Sequence, residues 1–156
     1  MSNNLTEEEI TRSHRWHAIE CNNIGWSLAE QSSRTGAQDD EMLDAAHASA
    51  FHWSKVGTEL NQARARMLLA HVHAFLGDGA RALSYAGQSH DYLRANDPPD
   101  WELAFSYAVL AHAAYAAGES DLHRQYYAKA KEQGDAIADA EDKKIFFRTF
   151  DLIPGA

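Results

Sequence analysis

Leu69-Ala70-His71-Val72-His73-Ala74-Phe75-Leu76-Gly77-Asp78-Gly79-Ala80-Arg81-Ala82-Leu83-Ser84-Tyr85-Ala86 reads as one helix, a Gly-Asp turn and a second helix. Apolar residues recur at helical spacing on both sides. Gly77 supplies the left-handed residue that ends a helix, and Asp78 caps the next one. The reading returns on either side of this stretch. Leu28-Ala29 with Gly36, and Leu110-Ala111 with Gly118, stand in register with Leu69-Ala70 and Gly77 at a spacing of 41 residues. A fixed period of about 20 to 50 residues marks stacked supersecondary units.

Working outward, Thr6 and Glu9 have the spacing of a capping box, and the helix they open carries Ile10, Trp16, Ile19, Trp26 and Leu28 to about Arg34, with Gly36 as its stop. After the polar stretch 35–40, a second helix runs through Met42, Leu43, Ala46, Ala50, Trp53 and Val56 to Gly57. Thr58 caps the third helix, Asp78 the fourth, Ser120 the sixth and Asp139 the seventh. Asp97-Pro98-Pro99-Asp100 separates the fourth from the fifth, because proline suits the start of a helix, where its missing N–H is not needed. No segment alternates at period two between turn residues, so no strand is expected.

The expected fold is all-α, a single domain over 1–156. Three antiparallel helix pairs (about 8–57, 58–97 and 98–138) stack as a short solenoid with a C-terminal capping helix at 139–153. A plain helical bundle is the alternative.

The formal charge of -9 leaves no electrostatic footprint for nucleic acid or an anionic membrane surface, and it favours a basic or amine-bearing partner over an acidic one. Cys21 is the only cysteine, which excludes an internal disulfide and fits a reducing compartment. No apolar stretch approaches the ~18 residues of a membrane span, and the N-terminus lacks the charged and apolar regions of a secretory signal. The expectation is a cytoplasmic chain.

On Leu69, Ala70, Gly77, Asp78 and Ala82 the chain resembles a tetratricopeptide repeat, whose small residues let two helices approach closely. His73 stands where that family has a tyrosine, with Phe75 two positions on. Leu110, Ala111, Gly118 and Tyr127 match in the third unit, where His123 replaces the family's small residue. Leu28, Ala29 and Gly36 match in the first, where Glu41 does. The spacing of 41 exceeds the family's period of about 34.

The resemblance implies a concave face lined by the first helix of each pair. By register it places Asn23, Trp26, Glu30 and Arg34 of unit one, Arg64, Met67, His71 and Phe75 of unit two, and Phe105, Ala108, His112 and Tyr115 of unit three on that face, with Phe146 beside them. Such a groove suits an apolar peptide or small-molecule moiety. The implied function is a scaffold binding a protein or peptide partner, with Trp26 and Tyr115 as the expected aromatic contacts and no cofactor.

Glu30, His71 and His112 share one repeat position, and two histidines with a carboxylate form the ligand set of open iron or zinc sites. A metal-dependent helical enzyme or carrier holding one divalent metal is therefore the alternative function. Helix axes ~8 to 10 Å apart strain that arrangement. The histidine spacings 14/17, 47/52 and 71/73 match no established metal motif. A third expectation is a homodimer formed through an apolar patch at Phe146, Phe147 and Phe150. Neither a nucleophile elbow nor a phosphate-binding loop is present.

Overall fold

The computed structural model describes residues 4–155. Among them are seven helices and no strand: α1 Glu7–Ala29, α2 Gly36–Val56, α3 Glu59–Phe75, α4 Gly79–Ala95, α5 Asp100–Ala116, α6 Ser120–Asp135 and α7 Ala140–Phe150. Each helix starts for a local reason. Thr6 with Glu9, Thr35 with Gln38 and Thr58 with Asn61 form reciprocal capping boxes at α1, α2 and α3. The Asp78 carboxylate accepts from Arg81 N at α4, and that of Asp139 accepts from Glu141 N and Asp142 N at α7. Pro99 holds the cap position of α5.

Three expectations are corrected. Helix α1 stops at Ala29 and does not continue to Arg34. Gly36 does not terminate it. The Thr35 capping box turns the polar stretch into the first turn of α2, with Gly36 as its first residue. Ser120 is likewise the first residue of α6 and no cap, since Glu119 holds that position without a side-chain hydrogen bond.

The turns of the second and third pairs are built alike. Gly77 and Gly118 have φ of +79° and +74°, a region open to glycine without strain. After each, an N–H reaches back to a helix carbonyl: Asp78 N to His73 O at 2.9 Å, and Glu119 N to Ala114 O at 2.9 Å. The first pair uses a side chain instead. The Arg34 guanidinium donates to Leu28 O at 3.3 Å and Gln31 O at 3.2 Å, pairs with Asp39 at 2.7 Å and lies 4.7 Å over the Phe75 ring.

Helices α1–α2, α3–α4 and α5–α6 pack as hairpins. The first helices also meet one another, α1 against α3 and α3 against α5, so α1, α3 and α5 form one layer, and α7 packs on α5 and α6. Small residues let backbones close in: Ala70, Ala82, Ala108 and Ala111 are fully buried. Gly79 is the extreme case, since a Cβ there would stand 2.3 Å from the Ala117 backbone. Gly134 leaves room for Phe146, whose ring also meets Phe105 edge-on at 5.4 Å.

Phe146 and Phe150, 0% and 4% exposed, therefore lie inside the chain, and of the three phenylalanines expected in an apolar patch only Phe147 is half-buried. No helix among the described residues is long and apolar enough to cross a membrane.

Candidate functional site

Helix α7 flanks the layer of first helices on one side, and the four elements line a solvent-open cavity of about 440 Å³. Helix periodicity brings the lining together. Asn22, Trp26 and Glu30 share one face of α1, and Arg64 and Met67 one face of α3. Trp101, Glu102 and Phe105 come from the start of α5, and Asp142, Ile145 and Thr149 from one face of α7.

The wall is aromatic. Trp26 and Trp101 both meet Phe105 edge-on, at 6.2 and 6.3 Å between ring centroids. Met67 and Ile145 add apolar surface. Arg64 pairs bidentately with Glu102, Nε to Oε1 at 2.5 Å and Nη2 to Oε2 at 3.1 Å. Glu102 is 2% exposed, and its hydrogen bond holds the guanidinium above its ordinary pKa. The buried carboxylate is thus neutralised within the chain. Glu30 and Asp142 add two further carboxylates. Thr149 is 1% exposed, and its hydroxyl has no hydrogen-bond partner. A buried hydroxyl left unpaired costs about 1–3 kcal/mol unless something supplies the missing bond.

Behind the cavity runs a dry seam. Trp26 lies 5.3 Å from His71. His71 and His112 face each other Nδ1 to Nδ1 at 3.3 Å, and the Phe75 ring packs on both at 4.6 and 4.5 Å. Burial drives His71 well below its ordinary pKa, helped by His112 and Arg34. Burial likewise takes His112 to about 4, helped by His123 and Arg34. Both rings are neutral at pH 7, with one Nδ1 donating to the other.

Of the residues expected on the concave face, Trp26, Glu30, Arg64, Met67 and Phe105 line the cavity. Asn23 is exposed and turned away, and its neighbour Asn22 takes its place. Arg34 is a cap and Ala108 is core, while Phe75, His71 and His112 belong to the seam. Tyr115 stands at the far end of α5, 54% exposed against His123, and is no part of the cavity.

The metal triad does not assemble. His71 and His112 meet in the dry seam while Glu30 opens on the cavity, and among the described residues no group of three or more His, Cys, Asp or Glu is arranged to hold a metal ion. Four of the other histidines pair across helices, not along them: His14 with His52 (2.7 Å) and His47 with His73 (3.0 Å). Cys21 is no activated nucleophile, because burial and then Glu20 raise its thiol pKa.

Sequence reasoning missed Asn22, Trp101, Glu102, Asp142, Ile145 and Thr149. Two signals were present. Trp101 precedes Phe105 by one helical turn, and 142, 145 and 149 have the spacing of a single helix face. Comparison with protein-family models, with curated proteins and with solved structures returns no match.

Proposed function

We propose that this chain is a tetratricopeptide-like binding module that docks a protein or peptide partner along its layer of first helices and takes one partner side chain into the cavity. The observation that carries this reading is the cavity itself. It is concave, partly enclosed and lined by two tryptophans, a phenylalanine and a methionine with a few fixed polar groups, the composition typical of a recognition pocket. Rigid aromatic side chains of this kind dominate binding energy where they are found at interfaces.

Selection from a displayed peptide library tests it. Enriched peptides are expected to bind the purified chain equally well with and without excess chelator. They should lose about tenfold or more in affinity on Trp26→Ala or Trp101→Ala, and nothing on Tyr115→Ala. Enriched peptides indifferent to both tryptophan variants, each checked for an intact melting transition, would remove the cavity from the interface and the reading with it.

A further inference from the structure

Two observations at the cavity point to the same ligand chemistry. The first is charge. Among the described residues that line it, Arg64 is the sole cation, and it is held bidentately by buried Glu102, so Glu30 and Asp142 leave the cavity net negative. The second is the wall, where Trp26, Trp101 and Phe105 offer aromatic surface to whatever enters, and π-faces attract cations. Ammonium and guanidinium groups are donors without acceptor capacity, and they satisfy carboxylates directly. An acidic ligand would meet uncompensated repulsion.

We infer that the partner presents a cationic side chain, from a lysine or arginine in a basic peptide segment, to a cage formed by Trp26, Trp101 and Phe105 with Glu30 and Asp142 as its polar contacts. This inference rests on the binding-module reading and specifies what that module selects. The overall charge of -9 acts in the same direction, steering a basic segment toward the chain at low ionic strength.

The test is nitrogen-15 NMR of the chain, which resolves the indole N–H of each tryptophan. It is titrated with a blocked pentapeptide of one lysine among alanines, with the same peptide carrying norleucine for lysine, and with free n-butylammonium. The lysine peptide is expected to shift the Trp26 and Trp101 indoles and leave exposed Trp16 in place. The norleucine peptide should bind about tenfold more weakly, and Glu30→Gln with Asp142→Asn should weaken the lysine peptide by a similar factor without moving the melting temperature.

Equal binding of lysine and norleucine peptides would overturn the cationic inference while leaving the binding module standing. Butylammonium bound as tightly as the lysine peptide would overturn the peptide source. Failure of all three probes to move either cavity indole would sink both the inference and the reading beneath it.

Discussion

His71 and His112, one from α3 and one from α5, occupy the same position in successive units and meet Nδ1 to Nδ1 at 3.3 Å in the dry interior. One ring must donate and the other accept, so the contact exists only while at least one of the two Nδ1 atoms lacks a proton.

This makes stability depend on pH with a defined sign. Both rings have folded-state pKa values below the ordinary 6.5, that of His112 at about 4. The unfolded chain therefore binds more protons below pH 6.5, and stability rises with pH between about 4 and 6.5 and levels off above. At ~1.4 kcal/mol per unit of displacement, His112 alone accounts for about 3 kcal/mol lost at pH 4. Denaturant midpoints across that range should show the slope, and His71→Leu with His112→Leu should reduce it, leaving the part due to His47, His52, His73 and His90, which burial also holds below their ordinary pKa. An unchanged slope in the double variant would place the sensitive groups elsewhere.

Arg64 and Glu102 give a second prediction. Arg64→Met leaves a carboxylate that is 2% exposed without its counter-ion, at a cost of about 3 kcal/mol. This is the low end for a broken buried pair, because the Arg64 side chain keeps 44% of its exposure. Replacing both residues by methionine and leucine should recover most of that loss, as urea unfolding of the single and double variants would show.

Two glycines on α4 separate close packing from backbone freedom. Gly79→Ala drives a Cβ to 2.3 Å from the Ala117 backbone, which no rotamer relieves, and should cost about 3 kcal/mol or more. Gly87→Ala meets nothing within 4 Å and should stabilise the helix by about 0.5–1 kcal/mol. Thermal melts that rank the two variants the other way would contradict the approach of α4 to the end of α5.

The hairpins were legible in the sequence because their causes are local. Gly77 and Gly118 announce a left-handed turn, Thr6, Thr58, Asp78 and Asp139 announce helix starts, and the leucine–alanine register repeats. The turn of the first unit was not. There Arg34 does from a distance what glycine does elsewhere, by reaching the carbonyls of Leu28 and Gln31, and no spacing rule encodes that reach.

Half of the cavity was hidden for a related reason. Register named Trp26, Glu30, Arg64, Met67 and Phe105, but from α7 it offered Phe146, which is buried in the core, and not the face that lines the cavity. The fourth wall exists because bare Gly134 admits the Phe146 ring and so seats Asp142, Ile145 and Thr149 over the groove. Register also overreached, since positions equivalent in sequence, such as Glu30, His71 and His112, face solvent at the end of the array and protein within it.

The matching joints at Gly77 and Gly118 carry one more consequence. Residues 58–98 form a cassette of 41 residues, from the Thr58 cap of α3 to the residue before the Pro99 cap of α5. A duplicate spliced in after Pro98 keeps both caps and should fold as a fourth hairpin that lengthens the layer. It would also carry α1 away from α7, and the two would no longer line one cavity. Copy number and cavity are thus coupled in this protein: a longer array gains surface, and only the short one brings its two ends to one pocket.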